Sequence, residues 1–145
     1  MSGLQEGRDY KIVNVKTGTV LDVSGENHTT VSGYTDQDSG NQKFKLEKND
    51  EGKWIFRDHD HHKYIGLNEY AKDGTPLVAT DDPFGWDIYH DGDGRDRVYR
   101  VFVPDAPPPG LNWDLSDHGN PNPGTIVTLW GKWEGEHQMW RFIEV

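Results

Sequence analysis

Asp22 stands inside one apolar triplet, Leu21-Asp22-Val23, and Asp114 inside another, Trp113-Asp114-Leu115. Each is followed by a strand-like stretch with an aromatic residue, Tyr34 after Val31-Ser32-Gly33 and Trp130 after Ile126-Val127-Thr128-Leu129. Each copy then closes on a polar pair, Asn41-Gln42 before Phe44 and His137-Gln138 before Trp140. An ionised carboxylate only accepts, so one aspartate can take two vicinal hydroxyls in charge-assisted bonds. An adjacent Asn both donates and accepts, as does a neutral imidazole, which matches the two-way character of a hydroxyl. A flat aromatic offers a surface to the weakly apolar C–H face of a pyranose. The chemistry these residues suit is recognition of a polyhydroxylated ring, with Asp22, Asn41 and Tyr34 in one set and Asp114, His137 and Trp130 in the other. An Asp among apolar neighbours is expected to point outward to something polar. His137 adds a further expectation: binding there should weaken below about pH 6.5, where imidazole charges and loses its acceptor.

A fainter third copy lies between the two. Ile65-Gly66-Leu67 and Thr75-Pro76-Leu77-Val78 repeat the apolar part, and Phe84-Gly85-Trp86 closes it. The middle residues of the three triplets are spaced 44 and 48 residues apart, within the 20–50 residue range of repeat architectures. Gly66 replaces the aspartate and Asp82-Pro83-Phe84-Gly85 replaces the polar pair, while the aromatic at Trp86 is kept. If the aspartate served the fold, all three copies would need it. The middle copy is therefore read as structural and the outer two as sites.

The elements that must position these residues are strands. With 17 Gly and 8 Pro in 145 residues, a breaker falls about every six residues, and no helical apolar pattern lasts three turns. Alternating segments recur at Tyr10–Val15, Val20–Val23, Trp54–Arg57, Tyr64–Leu67 and Val98–Val103, separated by turn residues. Threefold repetition of such short strands predicts an all-β chain, a β-trefoil of pseudo-threefold symmetry with about twelve strands. One domain, 1–145, holds repeats at about 8–50, 51–96 and 97–145. Each repeat opens on an aromatic (Tyr10, Trp54, Tyr99) and closes on one (Phe44, Trp86, Trp140), all expected in the core.

Composition narrows the partners. A net charge of −10 and a pI near 5.0 repel phosphates, so neither nucleic acid nor an anionic membrane surface is expected. No cysteine is present, so no disulfide holds the fold. The first residues show no signal-peptide pattern, and no run of about 20 apolar residues could span a bilayer. Cytoplasmic residence is the expectation, with unconventional secretion left open.

The pattern of Asp, a Gly-containing strand ending in an aromatic, and Asn/His-Gln-x-Trp/Phe resembles the ricin-B-type β-trefoil lectins. It is closer still to the small cysteine-free members found in mushrooms, including the lectin-like light subunit that accompanies mushroom tyrosinase. The loop Asp117–Thr125 is similar to that group. The resemblance covers nearly the whole chain. It implies a carbohydrate-binding lectin for galactose, N-acetylgalactosamine or mannose-type glycans. It also implies that Gln42 and Gln138 orient the aspartates from behind, and that no cofactor is needed. A rival on the same fold is a non-sugar interaction protein, such as a protease inhibitor or enzyme-associated subunit. That rival would use the rigid loop Pro104–Gly110 on a protein partner or a second copy of the chain.

Three other motifs carry weaker signals. Asp58-His59-Asp60-His61-His62 could place two histidines on one side of a hairpin as a metal pair, although a solvated polar turn fits better. Asp91-Gly92-Asp93-Gly94-Arg95-Asp96 resembles a short calcium loop but lacks the downstream bidentate Glu. Glu134 and Glu136 could suggest paired carboxylates for glycoside hydrolysis, yet an acidic loop tip accounts for them. There is no G-x-S-x-G and no Gly-rich phosphate loop, and no enzyme is expected.

Overall fold

The computed structural model describes residues 3–91 and 95–145. Among these run twelve strands: β1 (Asp9–Asn14), β2 (Val20–Val23), β3 (Val31–Tyr34), β4 (Phe44–Lys48), β5 (Trp54–Asp58), β6 (Tyr64–Gly66), β7 (Val78–Thr80), β8 (Asp87–His90), β9 (Val98–Phe102), β10 (Leu111–Leu115), β11 (Thr125–Gly131) and β12 (Trp140–Glu144). The segments read from alternation recur with ends shifted by about a residue, as is usual for element boundaries. Val15 lies beyond β1 and Leu67 beyond β6. No helix among the described residues is long and apolar enough to cross a membrane.

Six strands close into a ring. β1 pairs with β4 and β12, β4 with β5, β8 with β9, and β9 with β12. The remaining gap between β5 and β8 is bridged by Trp54 and Trp86, whose backbones exchange two hydrogen bonds of 2.8 Å. Closure leaves the ring without an unpaired edge. The other six strands form three hairpins, β2–β3, β6–β7 and β10–β11. These touch one another at Thr125–Gly33, Thr30–Val78 and Pro76–Thr128. A six-stranded ring capped by three mutually contacting hairpins is a β-trefoil.

The core joins the two layers. Alternating burial along β1 sends Tyr10 and Ile12 inward. Trp86, Trp113, Trp140, Phe44, Phe56 and Phe142 are fully buried, with Trp113 meeting Phe56, Trp86 and Trp140 at ring distances of 4.9, 5.4 and 6.2 Å. The closing tryptophans also stitch the layers together. Trp140 Nε1 donates to Trp113 O at 3.2 Å and Trp86 Nε1 to Ile65 O at 2.9 Å. In each case the acceptor carbonyl belongs to the residue just before the triplet's middle position, so the core fixes the strand on which Asp114 or Gly66 sits.

Candidate functional site

Hairpin register makes the three middle positions equivalent. Asp22 lies opposite Ser32, Gly66 opposite Val78 and Asp114 opposite Thr128. The aspartates are not turned outward as expected: they are 4% and 5% exposed, and each forms the floor of a depression. Gln42 and Gln138, fully buried, hold them there. Gln42 Nε2 donates to Asp22 Oδ2 at 2.9 Å and to Thr35 O at 2.9 Å, and its Oε1 accepts from Gln37 N at 2.8 Å. Gln138 repeats this with Asp114 Oδ2 at 2.8 Å, Gly131 O at 3.1 Å and Trp133 N at 3.0 Å. The sequence offsets within both sets are identical, five and seven residues back from the glutamine. A buried amide with every polar atom engaged is a rigid support, so the two glutamines act behind the site and not as ligand contacts.

The neighbouring side chain touches the same oxygen. Asn41 Nδ2 reaches Asp22 Oδ2 at 3.3 Å and Val23 O at 2.9 Å, and His137 Nε2 lies 3.3 Å from Asp114 Oδ2. No donor among the described residues bonds Oδ1 of either aspartate. Each carboxylate therefore has one oxygen anchored by the protein and one left for an incoming hydroxyl. Tyr34 lines the first depression and Trp130, 44% exposed, the third. All eight residues singled out in the sequence thus fall in two equivalent clusters.

In the middle repeat the set is replaced by an apolar plug. Phe84 takes the place of the glutamine and closes on the bare backbone of Gly66. A Cβ added there would meet Phe84 Cβ at 3.1 Å and Thr80 Oγ1 at 3.2 Å. Thr80 also stands where Tyr34 and Trp130 stand in the other repeats. Loss of the carboxylate, its support and its aromatic neighbour is concerted.

Several site residues were not found from sequence. Arg100 is buried and donates through Nη1 to Gln138 Oε1 at 2.9 Å and Asn112 Oδ1 at 3.1 Å, and through Nη2 to Trp133 O at 2.7 Å. Its Nε pairs with Asp91. A chain of bonds thus runs from Arg100 through Gln138 to Asp114. Asp117, His118 and Trp133 line the third depression. Asp117 and His118 have φ of 57° and 53° inside the turn Ser116–Gly119, a left-handed conformation costing on the order of 1 kcal/mol or more per residue. Lys16 Nζ, donating to His118 O from the adjacent repeat, holds the turn in place. The only sequence signal for this was the polar loop itself.

The remaining motifs part company. His59 Nε2 contacts Asp9 Oδ1 at 2.7 Å, whereas His61 stacks on His28 at 3.7 Å, so the two histidines do not converge. Nor is the whole Asp58–His62 turn solvated, because Asp58 is buried and accepts from His61 N and Lys63 N at 3.0 and 2.7 Å. Gly92, Asp93 and Gly94 of the calcium-like motif lie outside the described residues. Among the described residues no three His, Asp or Glu side chains gather as metal ligands. Glu136 pairs with Arg95 at 2.8 Å. Pro108, Pro109 and Gly110 of the proline loop border a separate depression beside Tyr89 and Phe102, which shares no lining residue with the other two.

Burial governs the charges. It raises Asp22 from its ordinary 3.8 against the opposing bonds from Gln42 and Asn41. It raises Asp114 likewise against Gln138, His137 and His118. It also lowers His137 from 6.5, although Asp114 pulls the other way. Both changes follow from taking charge out of water. His137 therefore stays neutral further into acid than the sequence suggested.

A family model described as ricin-type beta-trefoil lectin domain-like matches residues 3–80. A search of curated protein sequences returned no match. Among solved structures, the ricin B-like lectin of Macrolepiota procera, in complex with lactose, is 39% identical over 97% of this chain and 98% of that one, with a TM-score of 0.89. The Rhizoctonia solani agglutinin, 22% identical with full coverage of both chains and a TM-score of 0.85, shares the fold. So does a Polyporus squamosus lectin bound to a sialylated epitope, 22% identical over 98% of this chain and 50% of that one, with a TM-score of 0.77. The chain belongs to the ricin B-like lectin family.

The raised pKa of Asp22 carries a sign. A carboxyl with a folded-state pKa above its unfolded value contributes stability that is complete below the unfolded value and lost as pH rises through the folded one. At neutral pH the ionised Asp22 therefore costs stability. Asp22→Asn keeps an acceptor for Gln42 and Asn41 and removes the charge. Its thermal midpoint at pH 7 should rise above wild type, by about 2–4 °C for each kcal/mol relieved. Calorimetry showing a lower midpoint would contradict this reading.

Proposed function

We propose that the protein binds glycans of the galactose type through two shallow sites, one at Asp22 in the first repeat and one at Asp114 in the third. The observation that carries this is the paired aspartate: one oxygen tied to a buried glutamine, the other uncommitted, an amide or imidazole beside it and an aromatic ring at the rim. That geometry suits two adjacent ring hydroxyls and an apolar sugar face. Lactose in the Macrolepiota procera structure supports the sugar class. Binding without catalysis is part of the proposal, since Glu136 is engaged by Arg95.

A few hydrogen bonds and one ring correspond to millimolar affinity per site, about −4 kcal/mol. Two sites on one rigid body raise apparent affinity for clustered glycans by roughly 10²–10⁴-fold. On an array of immobilised β-galactosides, wild type should bind, each single variant (Asp22→Ala or Asp114→Ala) should lose most of the avidity, and the double variant should be silent. A silent wild type on galactosides and all other glycans would refute the proposal.

The third site should also respond to acid. As pH falls, His137 charges only below 6.5 and Asp114 takes up its proton above 3.8, so both leave their binding forms. Titrated in the Asp22→Ala background, sugar affinity should decline as pH falls through the acid range, and an affinity that stays constant there would contradict this reading. His137→Asn should retain only the part of the decline set by Asp114.

A further inference from the structure

The two depressions differ in size, and the cause lies in the neighbouring repeat. The third is about 340 Å³ and the first about 750 Å³. The turn that joins the first two strands of the next repeat borders the first depression directly, through Asp60 and His61, and reaches the third only through Lys16, which contacts His118. Those turns are built alike. Asn14 Oδ1 accepts from Lys16 N and Thr17 N, and the Asp58 carboxylate accepts from His61 N and Lys63 N. Gly18 N and His62 N then close on Asn14 O and Asp58 O at 2.8 and 3.1 Å.

Their side chains act in opposite ways. At the third site Lys16 crosses to His118 O and lies against Gly119, where an added Cβ would come within 2.7 Å of Lys16 Cδ. The lysine braces the Ser116–Gly119 turn, whose Asp117 and His118 line that depression. At the first site the matching turn presents Asp60 and His61, and no lysine among the described residues crosses. The facing connection between β2 and β3 instead folds on itself, with Ser24 Oγ accepting from Glu26 N at 3.2 Å and Asn27 Oδ1 from Thr29 N and Thr30 N at 2.8 and 2.9 Å. It meets the turn at the His28–His61 ring stack.

The floor therefore continues from Asp22 to Asp60 and His61. Asp60 has no hydrogen-bond or ion-pair partner among the described residues. It also rests so close to Gly40 that an added Cβ would fall 2.0 Å from Asp60 Oδ1. Only glycine at position 40 leaves that carboxylate where it is. An exposed acceptor without a partner, at the open end of a cleft whose other end carries the sugar cradle, is suited to hydroxyls of a second sugar.

Resting on the sugar-binding reading, we propose that the first site is an extended one. Its terminal sugar is held by Asp22, Asn41 and Tyr34, and its penultimate sugar by Asp60 and His61 of the second repeat. The third site, smaller and with its Ser116–Gly119 turn braced by Lys16, takes a single residue. The second repeat, which has no cradle of its own, thus contributes to recognition by completing its neighbour's site.

Calorimetry with methyl β-galactoside and lactose separates the two halves of this statement. In the Asp114→Ala protein, which isolates the first site, lactose should bind about fivefold or more tightly than methyl β-galactoside, the equivalent of one added hydrogen bond. In the Asp22→Ala protein the ratio should be near one. Adding Asp60→Ala to the first of these should bring its ratio to near one as well. A ratio near one at the first site overturns the proposal, as does a ratio that survives Asp60→Ala. Equal weakening of both sugars by Asp60→Ala also overturns it, because that is what a merely structural role would produce. Failure of both sugars to bind at the first site would instead remove the sugar-binding assignment itself.

Discussion

A glutamine amide donating to a buried aspartate is the interaction on which both sites depend. Gln42 to Asp22 and Gln138 to Asp114 span 2.9 and 2.8 Å in places where water does not reach the amide. An isolated carboxylate in such a position would neutralise or expel itself from the fold. The amide prevents this by occupying one oxygen and by having its own remaining atoms satisfied from the backbone of its own repeat. The aspartate is thereby held in one orientation before any ligand arrives, which is how a small set of polar groups achieves specificity without reorganisation. Its unengaged oxygen carries the cost of burial. The site is maintained at the expense of stability, a common exchange at functional positions.

The middle repeat shows what the fold alone requires. It keeps Trp86 and the bond from Trp86 Nε1 to Ile65 O, the counterpart of Trp140 to Trp113 O. It discards the carboxylate and the glutamine together, and Phe84 over Gly66 fills the space with apolar contact. The core and the carbonyl-stitching tryptophans belong to the architecture. The aspartate–glutamine pair is separable from it. Threefold symmetry is thus a property of the packing, and twofold repetition a property of the site.

Much of this was legible in sequence because it is local and periodic. Strands from Tyr10, Trp54 and Tyr99, buried aromatics at Phe44, Trp86 and Trp140, and the β-trefoil all follow from spacing and alternation. The pairing of Asp22 with Asn41 and Gln42, and of Asp114 with His137 and Gln138, follows from the repeat. What escaped depends on contacts between repeats or on burial. Arg100 looks like any strand arginine until its guanidinium is found inside, bonded to Gln138. Lys16 and Asp60 sit in ordinary turns and acquire meaning only through the neighbouring repeat's depression. Asp22 was expected to face outward because hydropathy registers the charge and not its hydrogen-bond partners.

In the proposed sites the uncommitted carboxylate oxygens are the points of ligand contact, and crystals soaked in lactose test that most directly. Sugar density is expected at two places per chain, with adjacent galactose hydroxyls within hydrogen-bond distance of Asp22 Oδ1 and Asp114 Oδ1 and none above Gly66. Sugar bound in the middle repeat, or ordered against the proline loop while both carboxylates remain uncontacted, would contradict it.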